Sequence, residues 1–556
     1  MLTSRAILHA LLLLLLFLLP PVRSLAAGPD PAGAALAVGP ATAHEFLARC
    51  VRRNELREFG LAVQDADEAL ALAPGLAAAY LERGRALLDL GQGRAARADL
   101  DRALALAPGL YPALFWRGTL AHREQRQVDA LADWRQAVLI APGFAQGHLA
   151  LAEQWDVGGE PDRALAAYGR ALAGDGEPAL VARVLLGRGR LLARLGRYAE
   201  ALVDLDRLIA GNPDSVAALA ARGAVRHARG EEASALADLD RALALAPVLP
   251  EVHRLRGEIL WGQRRVAAAL ADLDAAIAQG DSRAGTFLLR GRIRLQGGRF
   301  DQARDDFDRV LALAPESSEA YFCRGRMWEQ RRRYQEAAAD YRRQVDIDPA
   351  SCDGWNNLGW ARLQSQEYRE AEKDFTRAVA CNRAHPKAFF NRGLARMQLH
   401  DYDGVIADFS QAIALHPEQV AAFFWRAAAH AEKGEHGQAV ADFSHALEMI
   451  PDDPDALLAR GMSLAALGRE REALADFDEV LRLYPDLADA YVQRGEVRLR
   501  VGDTEAALAD CDAAIVLAPT MARAYYVRKE IYQRQGETEK AAADAEMLRR
   551  LAEMAE

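Results

Sequence analysis

The feature that most constrains this chain is a period of 34 residues that runs through most of its length. An arginine–glycine pair returns at that step, as in Arg83-Gly84 and Arg117-Gly118. A proline returns with it, apart from one irregular interval, at Pro74, Pro108, Pro142, Pro213, Pro247, Pro315, Pro349, Pro417, Pro451, Pro485 and Pro519. A fixed period of this length indicates one supersecondary unit stacked many times, and argues against a compact catalytic domain.

Composition predicts that each unit is helical. The 556 residues are 51% hydrophobic and 7% aromatic, and much of the apolar content is Ala and Leu, which are strong helix formers. No long segment shows the alternation of Val, Ile and Thr that a strand needs. In residues 318–351, two segments with helical apolar spacing are separated by a short turn, and Pro349 ends the second. Each unit is therefore predicted to be a pair of antiparallel helices, which cannot bury its apolar face alone.

The recurring residues resemble the tetratricopeptide repeat. That family has an aromatic residue or Leu at position 4, a small residue at position 8, Ala at position 20, an aromatic residue at position 24 and Pro at position 32. Counted from Ala43, 15 units follow this pattern, with Gly at position 8 in 11 of them. The resemblance implies an all-α fold, a right-handed superhelical solenoid of αα-hairpins, with the first helix of each hairpin on a concave inner face.

The period also predicts the domain organisation. Repeats 1–4 occupy residues 43–181, repeats 5–14 occupy residues 182–521, and the last repeat with a polar capping helix occupies residues 522–556. One step is irregular, because Ala152 and Gly189 hold equivalent positions but are 37 residues apart. The three additional residues fall near residues 174–178, a turn sequence, and predict a longer connection there.

The first residues have the pattern of a secretory signal peptide. Residues 1–26 contain a short basic start, an apolar run over residues 6–19 and small residues before a cleavage site. The apolar run is short for a membrane span, which needs about 20 residues. Residues 27–42 are rich in Ala, Gly and Pro and are predicted to be a linker. We therefore expect an exported protein, periplasmic or extracellular, and the alternative is an uncleaved N-terminal membrane anchor.

Export would place the five cysteines in an oxidising compartment, where disulfides persist. Cys352 begins the first helix of one unit and Cys381 ends the second, and an antiparallel pair brings those two ends together. A disulfide between them is plausible, subject to strict geometric requirements. Cys50 and Cys511 occupy positions of small or apolar core residues and are predicted to be buried.

Repetition argues against an enzyme within the repeats. Arg stands at position 7 in 13 units and Asp at position 23 in 14. A catalytic pair needs one distinctive environment, so residues that recur in nearly every unit predict structural Arg–Asp pairs between helices. The sequence has no phosphate-binding loop, nucleophile elbow or metal-ligand spacing, and its arginines are dispersed in a chain of net charge -10. We expect no catalytic residue, no metal, no cofactor and no nucleic-acid partner.

Repeats 9 to 12 differ from the others in composition. Between Tyr321 and Trp425 lie 16 of the 39 aromatic residues. The family's geometry, carried onto this chain, implies that positions 2, 5, 9 and 12 of each first helix face the groove. With one neighbouring asparagine, the predicted ligand-binding residues are Phe322, Asn356, Trp360, Lys387, Phe390, Asn391 and Phe424. Aromatic and amide side chains suit peptide recognition, because they combine rigid area with hydrogen bonds.

The resemblance implies a non-enzymatic scaffold, because the family's usual work is to hold other proteins. We expect a protein or peptide partner in the concave groove, and no membrane span beyond the signal segment. The alternative is a glycan-binding or accessory subunit of an envelope or polysaccharide-export machinery. Aromatic and asparagine side chains bind sugars as well as peptides, and the sequence leaves this alternative open.

Overall fold

The computed structural model describes residues 42–174 and 176–555, which form 30 α-helices and no strand. The first fifteen helices are α1 (Ala43–Glu55), α2 (Phe59–Leu72), α3 (Ala77–Asp89), α4 (Gly93–Leu106), α5 (Tyr111–Arg123), α6 (Gln127–Ile140), α7 (Ala145–Val157), α8 (Pro161–Ala173), α9 (Pro178–Arg194), α10 (Tyr198–Gly211), α11 (Val216–Ala228), α12 (Glu232–Leu245), α13 (Pro250–Gly262), α14 (Val266–Ala278) and α15 (Ala284–Gln296). The others are α16 (Phe300–Leu313), α17 (Ser318–Gln330), α18 (Tyr334–Ile347), α19 (Cys352–Gln364), α20 (Tyr368–Cys381), α21 (Pro386–Gln398), α22 (Tyr402–Leu415), α23 (Val420–Glu432), α24 (His436–Met449), α25 (Pro454–Ala466), α26 (Glu470–Leu483), α27 (Ala488–Arg500), α28 (Thr504–Leu517), α29 (Ala522–Gln535) and α30 (Thr538–Ala555).

The predicted all-α fold of stacked helix pairs is confirmed. Odd-numbered helices are the first helices of the repeats and even-numbered helices are the second. A first helix packs against its own second helix, as α19 does against α20, and the second helix packs against the next first helix. The predicted signal peptide and residues 27–41 of the predicted linker lie outside the described residues.

The chain divides into two compact units, residues 1–259 and residues 260–556. Within each unit, first helices of successive repeats contact one another, as α1 does α3 and α19 does α21. No comparable contact joins second helices of successive repeats in the described part of the chain. The first helices therefore line the inner, concave side of each stack, because the elements on the inside of a curve lie closer together.

A glycine at position 8 sets how closely the two helices of a repeat approach. A Cβ atom on Gly325 would lie 2.7 Å from the ring of Tyr341, and one on Gly359 would lie 2.7 Å from the ring of Phe375. These rings, at position 24, are fully buried. The aromatic side chain of the second helix thus packs directly on the glycine backbone of the first, at the density of a protein interior.

The irregular step lengthens a helix and not a connection, so the prediction of a longer connection is wrong. Helix α9 has 17 residues, whereas α7 and α11 have 13 each. Four residues separate the end of α8 at Ala173 from the start of α9 at Pro178, and four residues separate α2 from α3 as well. Proline is favourable at the first position of a helix, so the inserted residues extend the helix by about one turn.

The recurring Arg and Asp form the structural pairs that the sequence predicted. Arg392 Nε and Nη2 donate to the two carboxylate oxygens of buried Asp408, at 2.9 and 2.6 Å. Arg396, one turn further along the same first helix, donates to Asp408 from Nη1 at 3.0 Å. Charge-assisted bidentate pairing of this kind compensates for burying the carboxylate and fixes the register of the two helices.

The cysteines fall into two groups. Cys352 at the start of α19 and Cys381 at the end of α20 form a disulfide in the structure, with Cα atoms 5.5 Å apart, within the usual range. Cys50, Cys323 and Cys511 are buried free thiols. Burial raises the pKa of Cys50 and of Cys511 to about 12, so both are inert core residues. No described helix combines the length and the apolar composition that crossing a bilayer demands.

Candidate functional site

The candidate site lies on the concave side of the second unit, on the first helices of repeats 9 to 13. These are α17, α19, α21, α23 and α25. At about 100° per residue, positions 2, 5, 9 and 12 of a helix fall on one face. We call the surface that these positions form on the five helices the central concave face.

Three of the predicted residues are phenylalanines at position 5, and each packs against the ring at position 24 of its own repeat. The ring centroids of Phe390 and Phe409 are 5.2 Å apart with planes at 79°. Phe424 and Phe443 are 5.5 Å apart at 69°, and Phe322 and Tyr341 are 6.4 Å apart at 43°. The three phenylalanines are half-buried, so each ring packs in the repeat core and keeps part of its surface exposed.

The two predicted asparagines bond to each other. Asn391 Nδ2 on α21 donates to Asn356 Oδ1 on α19 at 3.0 Å, and Asn356 is 8% exposed. The bond joins neighbouring first helices and fixes both amides. Sequence reasoning placed both residues at the site but did not predict this pairing, which links residues 35 positions apart. Asn356 therefore offers less hydrogen-bonding capacity to a ligand than its residue type suggests.

The remaining predicted residues differ in burial. Trp360 is half-buried and packs against the cluster of Leu363, Ala371, Phe375 and Ala395. Lys387, at position 2 of α21, is exposed. The seven residues therefore lie on four successive first helices, with the indole half-buried and the ammonium exposed.

The central concave face carries no ionisable side chain at positions 5, 9 and 12 of four successive first helices. These residues are Asn356, Trp360, Leu363, Phe390, Leu394, Met397, Phe424, Ala428, Ala431, Leu458, Met462 and Ala465. Charges stand at position 9 on either side of this run, at Arg326 and Glu496. Met462 is 45% exposed, and sequence reasoning missed it, although the absence of charge at position 9 over four repeats was a detectable signal.

The N-terminal end of the face is held by a polar contact. Tyr341 Oη donates to Glu329 Oε2 at 2.8 Å, and Glu329 is at position 12 of α17. Burial raises the pKa of Tyr341 above its ordinary value, with the negative charge of Glu329 adding to the effect. The phenol therefore stays protonated and orients the carboxylate. Nearby, the Arg326 guanidinium lies 5.8 Å from the centre of the Phe322 ring.

The described residues hold no metal site but include a solvent-exposed depression. They contain no group of three or more His, Cys, Asp or Glu side chains that could hold a metal ion. A depression of about 450 Å³ lies on the first helices at the C-terminal end of the second unit, lined by Glu496, Arg523 and Tyr526 among others. It is open to solvent, and its charged side chains Glu496 and Arg523 already pair at 2.6 Å.

The tetratricopeptide repeat is the family whose model matches the chain. The matched segments are residues 81–148, 149–216, 228–284, 288–351, 356–404, 390–454, 429–488 and 458–522. Together they cover well over half of the sequence. The comparison with curated proteins gives no match.

Several solved structures are similar over part or most of the chain. One is YrrB, described as a TPR protein with an unusual peptide-binding site, at 21% identity over 34% of this chain and 99% of that one, with a TM-score of 0.32. Another is PilF of Pseudomonas aeruginosa, at 26% identity over 38% and 94%, with a TM-score of 0.34. The APC/C hetero-tetramer Cut9–Hcn1 gives 14% identity over 90% and 98%, with a TM-score of 0.33. The family match, and not any one of these structures, describes what the chain shares with known proteins.

Proposed function

The chain belongs to the tetratricopeptide repeat family, and from that premise we propose that it is a non-enzymatic scaffold that binds a protein or peptide partner on the central concave face. Proteins of this family generally hold other proteins. The observation that carries the proposal is the run of uncharged, mostly apolar side chains at positions 5, 9 and 12 of four successive first helices. A contiguous apolar face rimmed by charge is typical of an interaction surface.

The packing of this face suits recognition. The rings of Phe390 and Phe424 are held by the rings behind them, so a partner would not have to order them on binding. Leu394 and Met462 add aliphatic area between the rings, and methionine adapts to irregular partners. We therefore propose a partner segment with apolar side chains, oriented by the rim charges Lys387 and Asp455.

We also propose that the protein is exported and acts in the periplasm or outside the cell. The support is the signal-peptide pattern of residues 1–26 together with the Cys352–Cys381 pair, since disulfides persist in oxidising compartments.

Co-purification of the tagged chain from envelope fractions tests the proposed function. Met462→Glu places a charge on the central concave face without removing a packed ring, whereas the matched control Val516→Glu changes a side chain that is 80% exposed on the second helix α28. We expect a discrete protein partner that is lost with Met462→Glu and kept with Val516→Glu. A partner kept by both variants would place the binding site elsewhere.

The alternative function, a glycan-binding or accessory subunit of an envelope or polysaccharide-export machinery, is supported by the half-buried rings of this face, which could stack on sugars. Retention of the purified chain on a polysaccharide column, in the absence of any protein partner, would favour this alternative. Loss of that retention with Met462→Glu would place the glycan on the same face.

A further inference from the structure

A second surface of the same repeats departs from the repeat pattern. At eight junctions, Nη1 of the position-7 arginine donates to an aspartate at position 25 of the preceding repeat. Two examples in the second unit are Arg290 with Asp274 at 2.6 Å and Arg494 with Asp478 at 2.7 Å. Seven of these eight arginines also pair with the aspartate at position 23 of their own repeat, so each of the seven lies between two carboxylates.

Three consecutive junctions have lost the second carboxylate. Arg392 Nη1 donates to Thr376 Oγ1 at 3.3 Å, and Arg426 and Arg460 donate to Ser410 and Ser444 at 3.0 and 3.2 Å. A hydroxyl is neutral and is shorter than a carboxylate, so each of these three junctions has one negative charge fewer. Each keeps a guanidinium donor, on a half-buried arginine, where eight other junctions supply a carboxylate from within the chain.

The junction before these three gathers three arginines around one buried aspartate. Arg342 stands at position 25 in place of an aspartate, and Leu358 replaces the position-7 arginine. The buried carboxylate of Asp374, 1% exposed, meets Arg362 at 2.6 Å, Arg377 at 3.5 Å and Arg342 at 3.7 Å. Arg362 also has Glu367 at 3.6 Å and Glu370 at 4.0 Å, so Arg342 and Arg377 share Asp374 with an arginine that has other acidic partners.

These residues lie away from the central concave face. Position 7 is separated from positions 5 and 9 of the same helix by about 160–200°, at about 100° per residue. Position 25 is on the second helix, outside the inner side of the stack. Arg377, 54% exposed on α20, lies over the indole of Trp355 at 4.6 Å from its centroid. We call Arg342 and Arg377, with the junctions at Thr376, Ser410 and Ser444, the central edge.

We propose that the central edge binds an acidic segment of a partner protein. A carboxylate from the partner would take the place that the position-25 aspartate occupies at eight other junctions, and would accept from Nη1 of the half-buried arginine at position 7. Charge complementarity favours this stretch, because four successive junctions, at Arg342, Thr376, Ser410 and Ser444, lack the aspartate at position 25. The first unit has two such junctions, at Arg135 and Gly169. The surface goes beyond the proposed function, since it uses a different side of the repeats.

The test is fluorescence anisotropy of a labelled peptide of eight glutamates, titrated with the full chain at low ionic strength. The variant T376D/S410D/S444D gives the three junctions the residue that eight other junctions have, so the fold is expected to survive, which circular dichroism checks. We expect binding about tenfold weaker than for the natural chain, because three surface ion pairs are replaced by repulsion.

The matched control is A98D/A132D/A166D, which adds the same charge at exposed positions of second helices in the first unit. Binding by this control is expected to equal that of the natural chain. No binding by the natural chain, equal binding by T376D/S410D/S444D, or equal loss in the control would overturn the proposal. Displacement of the peptide by a short single-stranded oligonucleotide at lower concentration would also overturn it, in favour of a nucleic-acid ligand.

Discussion

At the scale of single residues, the missing side chain at position 8 decides how the two helices of a repeat pack. Gly325, Gly359 and Gly461 each face an aromatic ring that would lie between 2.5 and 2.7 Å from an added Cβ atom. Real Cβ contacts are longer, so either the ring or the helix would have to move. The recurrence of glycine at this position is therefore a packing requirement and not a sign of flexibility.

Gly325→Leu is expected to lower the free energy of unfolding by about 1–3 kcal/mol, because it overpacks the contact with Tyr341. Chemical denaturation followed by circular dichroism measures the change. The control is Gly437→Ala, at an exposed helical site where an added Cβ meets no atom within 4 Å. That control is expected to gain about 0.5–1 kcal/mol from helix propensity. An unchanged midpoint for Gly325→Leu would contradict the packing role.

The sequence predicted which residues share a face but not how they bond. Position within a 34-residue period determines the side of the helix, so Phe322, Phe390 and Phe424 were expected to share a face, and all three are half-buried on first helices. The bond between Asn356 and Asn391 depends on the distance between two neighbouring first helices, which no periodicity reports. Met462 was not among the predicted residues because the prediction relied mainly on aromatic side chains, whereas the informative property was the absence of charge.

At the scale of elements, the irregular step changes the length of one helix and keeps the spacing between neighbouring helices. The three inserted residues between repeats 4 and 5 extend α9, and the spacing of helix ends around it is kept. The sequence indicated a turn because Gly174 and Gly176 surround the insertion. Proline at residue 178 was the stronger signal, since proline is favoured at the first turn of a helix.

The disulfide also acts at the scale of one helix pair. It joins the start of α19 to the end of α20 across 29 residues, so it is expected to stabilise this repeat by about 2–4 kcal/mol. Reductant should lower the denaturation midpoint of the natural chain to that of the variant C352S/C381S, and should leave the variant unchanged. A midpoint that does not respond to reductant would contradict the pairing.

Thiol titration supplies an independent readout of the same pair. Cys50, Cys323 and Cys511 are buried, and burial raises the pKa of Cys323 to about 11. The folded, oxidised chain is therefore expected to show no rapidly reacting thiol, and the unfolded chain three. Five reacting thiols in unfolded protein that was never reduced would show that the disulfide had not formed.

At the scale of the whole molecule, each repeat depends on its immediate neighbours. Contacts within each compact unit join a helix to the next one or two in the chain. Stability in such an array is close to a sum of repeat and interface terms, so a local defect stays local. The period predicted the stacking of helix pairs, whereas the division into two compact units has no counterpart in the sequence pattern.

Leu205→Ala tests this locality, because Leu205 is fully buried in a cluster with Leu192, Ala201 and Val225. The variant is expected to lose about 2–5 kcal/mol locally and to exchange backbone amides faster in α9 to α11. Helices α21 to α27 should keep their protection in hydrogen-exchange mass spectrometry. Leu195→Ala, at an exposed site, is the control, and loss of protection throughout the second unit would contradict the nearest-neighbour description.

The link between the arginine at position 7 and the aspartate at position 25 of the preceding repeat has a consequence for how gene duplication can add repeats. A repeat with Arg at position 7 and Asp at position 25 supplies the arginine for the link to the preceding repeat and the aspartate for the link to the next one. A tandem duplication of such a repeat would create a junction that is already complete, with no compensating mutation. Duplicating a central repeat would instead lengthen the row of hydroxyls, so copying alone can change either the length of the array or the charge along its edge.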